Sequence, residues 1–279
     1  MKKALLAILL IAIVGAFAAC RNSETGMAEW RAGEIFTLEI AATARPHAEI
    51  LEYIRPYLLA DGVDINVTVF TDFHIFNPGL ADGDLCATFF QHQPFLSSFP
   101  RANELYMLGF VHVEPIGAYS LTIDDISELQ PGATVAFPND PANHGRALLL
   151  LQQYGVITLD PAAGILATYT SDIMYNPLNL RFHAADAALL PHILTDVDMA
   201  VINTNHVLNN YNILGMHPMH DSVIRETAHD NPYANGLTVR VEDRDHPALA
   251  VLMQHLQSQR VYDFIWRYFD GAVVPVFRP

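Results

Sequence analysis

In "FPNDPANHGRALLLLQQYG" (Phe137–Gly155) Arg146 is the first formal charge after Asp140, and the residues that follow it are apolar or amide-bearing. A guanidinium is a planar fork that matches a carboxylate with two parallel hydrogen bonds. It stands near the start of a helix signalled by Asp140 as N-cap, Pro141 in the first turn and Gly155 past the end. Free N–H groups at a helix start already favour an anion. Asn143, three residues earlier, shares the helical face of Arg146. Spacing alone leaves two chemistries open: a clamp on a ligand's carboxylate, or an internal pair with one of 30 acidic residues. The apolar "ALLLLQQYG" that follows implies burial. An unpaired buried cation costs several kcal/mol, so an acid must meet Arg146.

"CATFFQHQPF" (Cys86–Phe95) supplies a different chemistry. It packs Phe89, Phe90, His92 and Phe95 into ten residues; in a strand Phe90 and His92 point to one side, and Phe73 could join the group as an aromatic wall. Such a wall suits a flexible apolar side chain, above all a thioether. Core packing explains the phenylalanines equally well, but not the embedded Gln91, His92 and Gln93. "AVINTN" (Ala200–Asn205) ends an apolar run in two amides, and "DNPYAN" (Asp230–Asn235) adds Tyr233 and Asn235. These residues could meet a polar ligand or simply form turns. Among thirteen histidines, His217 and His220 are split by Pro218 and find no partner at a metal-ligand spacing. Cys86 and His92 are too far apart along a strand for a thiol–imidazole nucleophile. No metal or other cofactor is expected.

The positioning elements follow from periodicity. "IFTLEIAAT" (Ile35–Thr43) and "VDINVTVF" (Val63–Phe70) alternate as strands, the second with Ile65, Val67 and Val69 on one face. "RPHAEILEYIRPYL" has helical spacing through Ile50, Ile54 and Leu58. "ATVAF", "DMAVIN" and "GLTVR" are short strands beside helical segments, and helices run from Pro247 to about Phe269. Strands alternating with helices predict α/β layers with mostly parallel sheets. Polar or aromatic loops at the strand ends are then the expected binding crevice.

The first nineteen residues, "MKK" followed by "ALLAILLIAIVGAF" and small residues, have the pattern of an export signal, too short and wrongly flanked to span a membrane. "FAAC" resembles the bacterial lipobox, which makes Cys20 an acylated first residue. Residues 20–34 lack periodicity and are expected to act as a tether. Cys86 is the only other cysteine, and a thioether on Cys20 leaves no intrachain disulfide. The formal charge of −15, more negative still without Lys2 and Lys3, excludes nucleic acid as a partner.

"RPHAEIL", "ADGDLCATFFQHQPFL", "GFVHVEPIGAYS", "ATVAFPNDPANHGRALLLLQ", "DVDMAVINTNHVL" and "NPYANGLTVR" together resemble the methionine-binding lipoproteins of ABC transporters, in family order. The resemblance implies a periplasmic-binding-protein fold: two α/β lobes joined by crossover strands, with lobe 1 at 35–115 and 224–279 and lobe 2 at 116–223. It implies capture of L-methionine for the permease and ATPase subunits of an importer, with no catalysis. Another hydrophobic amino acid, a short Met-containing peptide, or an enzyme on the same fold are the alternatives. In the resemblance, Phe73, Phe90 and His92 surround the ligand side chain, Arg146 takes its carboxylate, and Asn203 meets its polar end. Glu114, Asn143, Tyr233 and Asn235 complete the set, with Glu114 suited to an ammonium. Two departures stand out: Cys86-Ala87-Thr88 in place of the family's usual Asp-Ala-Asn, and Phe73 where Tyr is common, which makes the pocket drier.

Overall fold

The computed structural model describes residues 26–279; the export signal and Cys20 lie outside the described residues. In the first part of the chain, β1 (Phe36–Ala42) and β2 (Val63–Val69) flank the helix Glu49–Ala60. Next come β3 (Ala87–His92) and β4 (Leu105–Val113). The chain then crosses over to β5 (Gly117–Tyr119), β6 (Thr134–Pro138), the helix Pro141–Gln153, and a small β7 (Thr158–Leu159) with β8 (Ile173–Tyr175). β9 (Arg181–Ala185), β10 (Met199–Ile202) and β11 (Ile224–Arg225) follow. The return leads to β12 (Ala234–Arg240), the helices Pro247–Leu256 and Gln259–Tyr268, and β13 (Val274–Pro275).

Two principal sheets result, in the orders β13-β4-β12-β3-β1-β2 and β11-β5-β10-β6-β9. The βαβ portions pair in parallel (β1 with β2 and β3; β6 with β9 and β10), as the strand–helix alternation predicts. The crossover strands β5 and β12 pair antiparallel to their neighbours. Each sheet carries its own core, so the molecule is a two-lobed, periplasmic-binding-protein-like α/β fold.

In lobe 1 the alternation of β1 buries Phe36, Leu38 and Ile40, and the helix Glu49–Ala60 buries Ile50, Leu51, Ile54 and Leu58 against them. Each such side chain contributes about 1.5–3 kcal/mol as an upper estimate. β2 departs from its expected face: Val63 and Ile65 are buried but Val69 is 48% exposed, because the strand lies at the sheet edge. In lobe 2 the helix Pro141–Gln153 starts as predicted, the Asp140 carboxylate accepting from Asn143 N at 2.9 Å, and Gly155 follows its end at φ +73°. Gly145 lets the loop carrying Ile165 lie against this helix, since a Cβ there would meet Ile165 O at 2.2 Å.

Three expectations need correction. Residues 26–34 are not a free tether: Met27 N donates to Asp243 Oδ1 (2.6 Å), Ala28 O contacts His246 Nε2 (2.9 Å), and Trp30 packs over Gly62. The apolar Met27 and Trp30 find lobe 1 surface to cover, which composition alone conceals. The return to lobe 1 comes after β11, which pairs with β5 in the second sheet, so Ile224 and Arg225 belong to lobe 2. Cys86 is buried and disulfide-bonded, against the expectation of no intrachain disulfide. The expected thioether on Cys20 lies outside the described residues.

Candidate functional site

The two crossovers, residues 114–116 and 226–233, bring the sheet ends face to face. Between them lies a cavity lined by Phe73, Phe90, His92 and Asn235 from lobe 1, Asn143, Arg146 and Asn203 from lobe 2, and Glu114 from the crossover. As the lobes stand the cavity is tight, about 20 Å³, room for roughly one water. Eight of the nine residues expected to contact a ligand thus converge on one space. Tyr233 does not line it: its ring lies under the Arg146 guanidinium (4.3 Å) and edge-on to His92 (5.1 Å).

One end of the cavity is aromatic. Phe73, Phe90 and Phe95 meet pairwise at 5.5–5.9 Å between ring centroids, and Phe90 stacks on Phe76 at 4.0 Å. His92 stands at the boundary between this wall and the polar end. Its Nδ1 accepts from Phe95 N (3.2 Å), which leaves the proton on Nε2, directed at Asn143 Oδ1 (3.2 Å) across the lobes. Burial first, and the nearby Arg146 charge second, hold His92 at about 3, so it is neutral.

Arg146 is not the unpaired cation the clamp reading pictured. Its Nε and Nη2 donate to Glu226 Oε1 (2.9 Å) and Oε2 (2.6 Å), and Nη2 also donates to Glu114 O (2.8 Å). The internal ion pair left open by the sequence is therefore present, with only 2% of the arginine side chain exposed. Arg146 nevertheless faces the cavity, and Nη1 has no hydrogen bond to any described residue. Glu226 neutralises the cation from behind while one N–H edge remains for a ligand.

Asn143 is likewise committed. Its Oδ1 receives Asn203 Nδ2 (2.9 Å) and His92, and its Nδ2 reaches Asp140 (3.1 Å). Burial pushes the Asp140 carboxyl up despite these bonds. Asn143 thus acts as a hub that orients its neighbours. By contrast, Asn203 Oδ1 and Asn205 Nδ2 are buried without a hydrogen-bond partner. Buried polar atoms left unpaired cost roughly 1–3 kcal/mol each, which a ligand can relieve.

Phe95 lines the cavity as the aromatic wall requires, whereas Phe89 turns into the lobe 1 core; sequence reasoning missed Gln91, Thr204 and, although its motif was noted, Asn205 as lining residues. It also missed His47 and His112, which sit behind Glu114 with Nε2 at 3.4 and 3.0 Å from Oε1. The "HVE" spacing of two could have flagged His112, since alternate strand residues share a face; nothing local points to His47. Donor atoms of His47, His112 and Glu114 lie within 4.8 Å of one another, a set whose chemistry would also suit a divalent cation.

The profile of the NlpA lipoprotein family matches residues 38–277. The chain belongs to this family. Among its relatives is the methionine-binding lipoprotein MetQ of Bacillus subtilis, 36% identical over 99% of both chains. The D-methionine-binding lipoprotein MetQ of Escherichia coli is 36% identical, covering 76% of this chain and 78% of that protein. In structure the chain is similar to a nutrient-binding protein of Burkholderia cenocepacia bound to methionine. That match has a TM-score of 0.81 and 38% identity, covering 86% of this chain and all of the other. Both MetQ relatives carry names of binding proteins, not enzymes.

Proposed function

We propose that this chain captures methionine between its lobes and delivers it to the permease and ATPase subunits of an ABC importer, held at the membrane through an acylated Cys20. The observation that carries the reading is the cavity between the lobes. It pairs an aromatic wall with polar atoms that have no internal partner, Arg146 Nη1 and Asn203 Oδ1. A zwitterion with an apolar thioether side chain satisfies both ends: carboxylate to Arg146, ammonium to Glu114 and Asn203, sulfur among Phe73, Phe90 and Phe95. The relative bound to methionine supports the assignment.

Contacts across the cleft are already closed, including Arg45 N to Asn209 Oδ1 (3.1 Å) and Phe73 against His206 (4.8 Å). Entry of a ligand therefore requires the lobes to part about the 114–116 and 226–233 crossovers, and reclosure desolvates each polar contact. Calorimetry on protein stripped of co-purified ligand tests the reading. Methionine is expected to bind and alanine to bind far more weakly, and Arg146→Ala to abolish most of the methionine affinity. Wild-type protein without measurable methionine binding overturns it.

A further inference from the structure

We propose that His112 is a positioning residue: it holds Glu114 Oε1 so that Oε2 is presented to the ligand's ammonium, with the His47 ring packed behind the pair. The inference rests on the amino-acid-binding reading above and deepens it. Glu114 ends the crossover side of β4, lines the cavity and is 6% exposed. A carboxylate so buried needs donors to stay charged and needs them on one side only to keep a fixed rotamer. His112, two residues back on the same strand face, places Nε2 3.0 Å from Oε1. His47, from the turn after β1, lies behind them with Nε2 3.4 Å from the same oxygen but without a hydrogen bond, and its Nδ1 meets Thr43 Oγ1 at 2.6 Å.

Both imidazoles are immobilised against Phe89, at 4.7 and 5.5 Å, and against each other at 4.9 Å. Glu114 Oε2 has no hydrogen bond to any described residue. Asn203, lining the same cavity, has a buried Oδ1 with no partner, a second acceptor for an ammonium that offers three N–H groups. Burial holds His47 well below its ordinary value, so it stays neutral and does not cancel the Glu114 charge that the ammonium requires. The backbone of the same residue also fixes the opposite pole, since Glu114 O accepts from Arg146 Nη2. One residue at the hinge therefore sets the spacing between the ammonium and carboxylate sites.

The test compares L-methionine with 4-(methylthio)butanoic acid, which keeps the thioether and carboxylate but lacks the amine. In the full chain, His112→Leu should lose about tenfold or more in L-methionine affinity, as expected for one charge-assisted hydrogen bond, with little change for the desamino acid. His112→Gln, whose amide N–H can replace the imidazole donor, should recover most of the loss. Thermal melts confirm that each variant is folded. Equal losses for both ligands, or no loss for either, overturn the proposal. L-methionine affinity that falls on EDTA treatment and returns with zinc also overturns it, in favour of a metal at these three donors. Wild-type protein that binds neither compound overturns the methionine reading itself, and this proposal with it.

Discussion

Glu226→Gln separates the two duties of Arg146. In the ligand-free protein Glu226 takes two of the guanidinium's donors, at 2.9 and 2.6 Å, with the carboxylate only 11% exposed. A ligand carboxylate on Nη1 would share that guanidinium, leaving the two anions about 6 Å apart. At an effective dielectric near 20 their repulsion is about 3 kcal/mol, an upper bound on what removing one charge can return to binding. Glutamine keeps the size and one acceptor oxygen but not the charge. Methionine binding should therefore tighten by about tenfold to a hundredfold. The free protein should lose roughly 1.5–3 kcal/mol of charge-assisted hydrogen bonding, a fall in Tm of about 3–12 °C. Calorimetry gives the first number, and melts with and without methionine give the second. The ligand-induced rise in Tm should be larger in the variant than in the parent. A folded variant with unchanged or weaker methionine affinity refutes the reasoning: Glu226 would then contribute more by orienting Arg146 than it costs by repelling the ligand.

Phe90→Ala removes the ring stacked on Phe76 at the cavity wall. Lost burial and sulfur–aromatic contact predict about 2–4 kcal/mol weaker methionine binding, with alanine binding far less affected; competition calorimetry showing equal losses would reject the aromatic pocket. Acid should destabilise the protein. His92 is held at about 3 and His206 at about 4, each mainly by burial, with the charges of Arg146 and His192 adding to it. Depressed histidines contribute stability that is complete above their unfolded value near 6.5 and is lost as pH falls toward the folded value. Each should therefore cost about 1.4 kcal/mol per pH unit between pH 6 and pH 4. Urea melts across that range should show the slope, and His206→Gln should flatten it; an unchanged slope in the variant counts against His206. Mass spectrometry of protein expressed with its leader should find acyl chains on Cys20 that Cys20→Ser abolishes, and an unmodified cysteine there would remove the membrane anchor.

The helix carrying Arg146 was legible almost residue by residue. N-cap, first-turn proline and terminal glycine act within a few positions, so their spacing determines the local structure whatever surrounds it. The strand alternation of Phe36–Ala42 and the shared face of Phe90 and His92 were readable for the same reason: side-chain period is a property of the backbone. Tether and edge were misjudged where tertiary contact overrides pattern. Met27 and Trp30 sit in an aperiodic stretch yet pack on lobe 1, and Val69 keeps its strand period yet faces solvent at the sheet edge.

From residue types alone came the α/β layers, the aromatic wall and the requirement that something acidic meet Arg146, while the two lobes came with the family resemblance. Which acid meets it is a matter of three dimensions. Glu226 lies 80 residues away, and only the return crossover sets it behind the guanidinium. The same holds for His47, delivered to Glu114 by the turn after β1, and for Asn143, which His92 reaches from the opposite lobe. Charge and hydrogen-bond partners carry no period along the chain, so their pairing is decided when the crossovers close the two sheets on each other.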